Sequence, residues 1–326
     1  MKKNLITLFF LAVAMTGGMP AVAQHSTPAL NEKVVTFDVP QLPKDAGSFL
    51  IANDLGRNGY YEQKPVAELM GNLAEKVDIE CVAALGDVHH FEGVASTSDP
   101  LWMTNYELVY SHPELMLPWY PVLGNHEYNG NTQAVIDYSR VSRRWMMPSR
   151  YYAKTVEAED DTQALLLFID TAPLIDKYRK DSIDYPDACR QDREAQLAWI
   201  EEQLRTSKAK WKIVMGHHPV YAQTTKSDKE RADMQKYLKP LLDRYGVDLY
   251  VCGHIHTFQH IVPAGSKTEY LVNTSGSLAR AVSPIEGTRF CSGDEGFTLL
   301  SFNADEIHCY LYNEKGKIIY DFSHRR

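Results

Sequence analysis

The sequence has 326 residues, 44% of them hydrophobic and 11% aromatic, enough to bury one large core in a single α/β domain. Its formal charge is -8 at pH 7, so no basic field favours polyanions and nucleic-acid binding is disfavoured as a class. The five cysteines, Cys81, Cys189, Cys252, Cys291 and Cys309, lack CxxC spacing, which argues against a cysteine zinc site; in an exported chain one disulfide has room to form, and Cys189 with Cys291 is the expected pair.

The chain opens with a basic pair, Lys2 and Lys3, an apolar stretch from Leu5 to Ala14, and small residues at Ala21, Val22 and Ala23. That pattern reads as a cleavable signal peptide over 1–23, with a mature chain beginning near Gln24, a lead segment over 24–45 and a catalytic domain over 46–326. No stretch approaches the roughly 20 apolar residues of a membrane span, so the expectation is a periplasmic or secreted protein without membrane insertion.

Short apolar strands then recur, each running into a loop rich in Asp, Asn or His. Ser48 to Ala52 leads into Asn53 and Asp54, Cys81 to Leu85 into Gly86 and Asp87, and Tyr120 to Leu123 into Gly124, Asn125, His126 and Glu127. Trp211 to Met215 leads into Gly216, His217 and His218, and Leu249 to Cys252 into Gly253, His254, Ile255 and His256. In α/β sheets ligand sites lie beyond the carboxyl ends of strands, so these five loops are expected to converge. Between them, Val66, Leu69, Met70, Leu73 and Val77 share one helical face, as do Met234, Tyr237, Leu238, Leu241, Leu242 and Tyr245. The polar, proline-containing segment from Ala172 to Asp192 reads as a long loop, lid or insertion. A hairpin is expected from Glu306 to Phe322, turned at Asn313 to Gly316, and two packed sheets with helices outside account for the order of elements.

Alone, each motif has a bland reading: GD after a strand is a common turn, and HxH is often a pair on a strand edge. Together they supply two Asp, one Asn and several His, with Gly beside each, on five strand ends. Carboxylate, carboxamide oxygen and imidazole suit first-row metals, and so many donors exceed what one ion takes. A shared carboxylate holds two ions roughly 3.5 to 4 Å apart, close enough to activate water and grip phosphoryl oxygens. The neighbouring glycines are expected to supply tight or positive-φ turns.

Gly86 to Val94 (GDVHHFEGV), Gly124 to Glu127 (GNHE), Tyr138 to Tyr152 (YSRVSRRWMMPSRYY), Gly216 to Val220 (GHHPV) and Cys252 to His256 (CGHIH) resemble the small, tartrate-resistant purple acid phosphatases of the calcineurin-like metallophosphoesterase superfamily. The resemblance implies a four-layer αββα sandwich carrying two metal ions, iron, zinc or manganese. It assigns Asp54 and His256 to the first ion, Asp87 to the bridge, and Asn125, His217 and His254 to the second. The family's remaining first-site ligand is a tyrosine three residues after the bridging Asp, and His90 stands there; His89 is its rival. A tyrosinate gives ferric iron its purple colour, so the replacement implies a colourless protein working with divalent ions. His126 matches the family histidine that donates a proton to the leaving oxygen or holds a phosphate oxygen, Glu127 is expected to orient it, and His218, standing where the family often has tyrosine, is expected to touch substrate.

The function implied is hydrolysis of small phosphate monoesters by in-line attack of a metal-bound hydroxide. A phosphodiesterase or nucleotidase with the same centre is the alternative. A secreted metal-binding protein without turnover is the third reading.

Overall fold

The computed structural model describes residues 37–326, and the expected signal peptide lies outside the described residues. Two mixed sheets carry the core. In the first, β1 (Gly47–Ala52), β2 (Val82–Ala84) and β3 (Trp119–Pro121) run parallel, and β11 (Gly296–Phe302), β12 (Glu306–Asn313) and β13 (Ile318–Arg325) extend it antiparallel in the order β13-β12-β11-β1-β2-β3. The second has the order β10-β8-β9-β7-β6-β5-β4, built from β4 (Tyr152–Glu157), β5 (Gln163–Phe168), β6 (Trp211–Met215), β7 (Leu249–Cys252), β8 (Phe258–Ile261), β9 (Glu269–Val272) and β10 (Thr288–Ser292). Strands β5, β6, β7 and β9 are parallel, and their near-continuous apolar runs fit strands covered on both faces. With helices on the outside, the arrangement is the expected sandwich.

Helix α1 (Gln63–Ala74) buries Val66, Leu69, Met70 and Leu73 as its periodicity predicts. The second apolar stripe divides into α6 (Asp228–Tyr237) and α7 (Lys239–Tyr245). Pro240 has no N–H to donate back into the preceding turn, so one continuous helix cannot form across it. The hairpin turns where expected: Asn313 Oδ1 accepts from the N–H groups of Lys315 (3.1 Å) and Lys317 (3.0 Å), and Gly316 takes φ of +73°.

Two expectations are corrected. Ala172 to Asp192 is not an irregular lid but carries α3 (Asp176–Arg179) and α4 (Pro186–Arg190), with Tyr178 fully buried. It folds because its own aromatic and apolar residues, Leu174, Ile175 and Tyr178, find core contacts. The five cysteines are all free; Cys81, Cys252 and Cys309 are buried among core strands, and Cys189 donates to the Tyr178 carbonyl. The two remaining helices, α2 (Thr132–Asp137) and α5 (Arg193–Thr206), are capped by the side chains of Asn131 and Asp192.

At the amino ends of β7 and β9 the two sheets are tied by charge. His324, near the end of β13, lies 3.1 Å from Asp248 and 2.8 Å from Glu269, and Arg326 joins it on Asp248. Burial disfavours a charged His324, but the two carboxylates outweigh it and raise its pKa to about 9. A group whose folded pKa is raised stabilises fully below its unfolded value of about 6.5 and loses that contribution as pH rises through about 9. His324→Gln is therefore expected to lower stability by about 1–3 kcal/mol near pH 6. Melting curves across pH 6 to 9.5 should show the gap between variant and wild type closing with rising pH, and a constant gap would refute the assignment.

Candidate metal centre

The carboxyl ends of β1, β2, β6 and β7 deliver Asp54, Asp87, His217 and the pair His254 and His256 to one place, and Asn125 follows β3 between Gly124 and His126, whose N–H groups bond Glu127 and Asp87. Two of the imidazoles are fixed from behind by backbone carbonyls. His217 Nδ1 donates to the Leu85 carbonyl (2.8 Å) and His256 Nδ1 to that of Leu278 (2.7 Å). A carbonyl can only accept, so the inward Nε2 atoms of the neutral rings carry lone pairs. His217 Nε2 lies 3.1 Å from Asp87 Oδ2, and His256 Nε2 lies 3.0 Å from Asp54 Oδ1. His254 Nδ1 faces His217 Nε2 at 3.2 Å.

The carboxylates follow the same rule. Asp54 Oδ2 accepts from Asn53 Nδ2 (2.6 Å) and the His254 N–H (2.8 Å), which leaves Oδ1 without a hydrogen-bond partner. Asp87 Oδ1 accepts from the His126 N–H (3.0 Å), and its Oδ2 faces inward. Asn125 Oδ1 and both ring nitrogens of His90 are buried and unpartnered. Buried polar atoms without partners are rare and costly, and two of them, Asp54 Oδ1 and His90 Nε2, lie 3.9 Å apart, which fits a cation between them. Four overlapping groups, Asp54–His90–His256, Asp87–His90–His126, Asp54–Asp87–His217 and His217–His218–His254, have the spacing to hold metal ions, and Asp54, Asp87, His90 and His217 each belong to two of them.

The geometry separates the rivals. His90 Nε2 lies 3.9 Å from Asp54 Oδ1 and 4.0 Å from Asp87 Oδ2. His89 turns away: its Nδ1 accepts from Asn105 Nδ2 and its ring meets Trp102 edge-on at 4.3 Å. Trp102 in turn stacks on Tyr138, so the aromatic residues of the 138–152 motif brace this wall from behind. Burial lowers the pKa of His90 to about 3, and burial with the nearby Lys226 ammonium does the same to His254, keeping both imidazoles neutral. Burial opposes charge on His217, but Asp87 and Asp54 raise its pKa to about 9; an ion bound here would displace that proton.

His126 is the partly exposed member. Its Nδ1 donates to the Phe91 carbonyl (2.8 Å), and Nε2 lies 4.0 Å from Asp87 Oδ2. Glu127 does not orient it, contrary to expectation. The short turn Glu127–Asn129 points the carboxylate into the core, where Oε2 accepts from the N–H groups of Asp87 (2.8 Å) and Gly124 (2.7 Å) and Oε1 from that of His89 (2.9 Å). Glu127 thus ties the Asp87 loop to the Asn125 loop. His218 is fully buried, with its nitrogens engaged by Thr171 Oγ1 (2.7 Å) and the Tyr178 hydroxyl (3.0 Å), so it does not face substrate.

The glycines act differently from expectation. Asp54, Asp87, His254 and His256 themselves take positive φ (52°, 51°, 70° and 62°), whereas among the neighbouring glycines only Gly86 does. Gly124 and Gly253 supply space: a Cβ on Gly253 would sit 2.6 Å from Asp54 Oδ2, and one on Gly124 would overlap the Asp87 carboxylate. Sequence reasoning missed the residues behind Asp54. Asn53 is held by Asn273 and the Thr274 carbonyl, and Ser275 and Ser277 both donate to the Asp54 carbonyl (2.8 Å). The signal was there in the run Asn273-Thr274-Ser275-Gly276-Ser277 after β9, a sixth polar strand end.

A family model described as calcineurin-like phosphoesterase matches residues 47–258. The chain belongs to the calcineurin-like phosphoesterase family. It is 31% identical over 321 residues to purple acid phosphatase 4 of Arabidopsis thaliana, covering 95% of this chain and 93% of that protein. Tartrate-resistant acid phosphatase type 5 of Oryctolagus cuniculus is 33% identical over 269 residues, covering 78% and 82%. Among solved structures, GAP50, the anchor in the inner membrane complex of Plasmodium, shares the fold with a TM-score of 0.74 at 24% identity, over 86% of this chain and 89% of that one. Purple acid phosphatase PPD1 of yellow lupin follows with 0.62 at 16% identity, over 88% and 55%.

Glu127→Ala should leave three buried N–H groups unsatisfied and cost at least about 3 kcal/mol, with loss of bound metal, because two loops of the centre come apart. Calorimetry and metal analysis of the purified variant check this; unchanged stability with full metal content would instead return Glu127 to a role beside His126.

Proposed function

We propose that this family member is a metal-dependent phosphomonoesterase of the purple acid phosphatase kind, acting on small phosphorylated substrates, with Asp54, His90 and His256 on one ion, Asn125, His217 and His254 on the other, and Asp87 between them. The observation that carries the reading is the convergence of unpartnered donor atoms at one set of strand ends, with a half-exposed His126 at their edge. Bound there, two ions would supply an activated water and neutralise charge on the transferring phosphoryl group. The net negative charge of the chain is no obstacle, because ions in the site dominate the local field.

The chain's own residues do the rest. His126, as imidazolium, keeps Nδ1–H on the Phe91 carbonyl and presents Nε2–H to the leaving oxygen, which would otherwise depart as a poor alkoxide leaving group. Its partial exposure supports a leaving group directed toward solvent. A pure binder has no need of such a donor beside Asn125, which speaks for turnover over mere binding. The sequence pattern at 1–23 supports export, and among the described residues no helix is long and apolar enough to cross a membrane. The monoester reading is tested by rates on p-nitrophenyl phosphate against its bis ester, where a clear diester preference would sink it.

Asp87→Ala should abolish both turnover and binding of the metal pair. His126→Ala should keep the metals and lower kcat by roughly 10²- to 10⁴-fold, and metal loss in that variant would make His126 a ligand instead. A neutral imidazole at position 90 favours divalent ions, so the wild-type protein should be colourless. His90→Tyr loaded with ferric iron should gain a visible charge-transfer band. A purple wild type, or a band appearing only when the change is made at His89, would overturn the placement.

A further inference from the structure

Glu230 is buried in the first turn of α6, with only 4% of its side chain exposed, although no sequence motif singles it out. Its carboxylate is divided between two tasks. Oε1 accepts from the Tyr178 hydroxyl (3.1 Å) and from Lys177 Nζ (2.8 Å); Oε2 lies 3.1 Å from His254 Nε2. A carboxylate here can only accept, so Nε2 carries the proton and the lone pair of His254 is left on Nδ1, the atom that faces His217 Nε2. The remaining polar neighbour, Lys226 Nζ, straddles the ring at 3.0 Å from Nε2 and 3.4 Å from Nδ1 and donates to the His254 carbonyl.

The hydrogen bonds behind Glu230 run in one direction. Thr171 Oγ1–H donates to His218 Nδ1 (2.7 Å), His218 Nε2–H to the Tyr178 oxygen (3.0 Å), and the Tyr178 hydroxyl to Glu230 Oε1. Every member except Lys177 is buried, so the chain has no water to substitute for a lost partner. His217 and His256 take their orientation from backbone carbonyls, but His254 has no carbonyl at its outer nitrogen and takes it from this carboxylate.

We propose that Glu230 is the positioning residue of the second metal site, fixing the tautomer and angle of His254, and that Tyr178 on α3 fixes Glu230 in turn. This rests on the dinuclear reading above. It gives the 172–192 segment a place in the centre as the outer support of one ion. Loss of a carboxylate behind a metal-bound histidine weakens the metal by about 10- to 100-fold.

The test is zinc affinity measured site by site by competition with a chromophoric chelator, with folding checked by circular dichroism. Glu230→Gln and Glu230→Ala should weaken the second ion by about 10-fold and 100-fold and leave the first tight. Tyr178→Phe, which preserves packing and removes the bond to Glu230 along with the one from His218, should weaken it by about 2- to 10-fold, the worth of the single bond that reaches Glu230. Two equally tight ions in wild type, Glu230→Gln and Tyr178→Phe would overturn the role of Glu230 while leaving the dinuclear reading standing. Fewer than two ions in the wild-type protein would overturn both.

Discussion

The centre depends on one constraint: three of its histidines have the outward nitrogen committed to a buried acceptor, which turns the other nitrogen inward. Leu85, Leu278 and Glu230 are those acceptors for His217, His256 and His254. Lone pairs and carboxylate oxygens 3 Å apart repel one another unless a proton or cation lies between them. The fold therefore holds together atoms that would separate in solution, and it does so with bonds made on the far side of each ring.

Holding them also costs the backbone. Left-handed conformations at four non-glycine residues cost roughly 1–2 kcal/mol each, and such strain persists where the surroundings over-determine it. Here the surroundings are explicit. The Asp54 N–H donates to the Gly86 carbonyl (3.0 Å) and that of Leu55 to the Asp87 carbonyl (2.9 Å), stitching the turn after β1 to the turn after β2. Glu127 closes the turn after β2 onto the turn after β3, and Ser275 and Ser277 close the turn after β9 onto Asp54. Each loop is pinned to its neighbour, so the strain is spread over a polar ring that rests on an apolar two-sheet core.

The two ends of the parallel strands divide the labour. At the carboxyl ends charge is left unsatisfied, which suits a ligand; at the amino ends Asp248, Glu269, His260, His324 and Arg326 satisfy one another across the two sheets. A buried ion pair in which every member is matched holds geometry, whereas an unmatched one awaits a partner. The same residue types thus serve stability at one end and chemistry at the other.

The sequence by itself determined the strand ends, the polar residues that follow them and the family, because period-2 and apolar runs followed by Asp, Asn and His are local patterns. It also placed α1 and the β12–β13 hairpin, whose signals are spacing and turn chemistry. What only the tertiary structure decided was direction. His89 and His90 are adjacent and chemically identical, and the packing of Trp102 and Asn105 separates them. Glu127 reads like a partner for His126 until the turn after Asn125 sends it inward to three N–H groups. Glu230 lies 24 residues before His254 on a helix with no motif, and the 172–192 segment looked like a loop because its few apolar residues lack period; both acquire meaning only where α3, α6 and β7 meet. Side-chain direction at a strand end is set by long-range contacts, and sequence spacing does not carry that information.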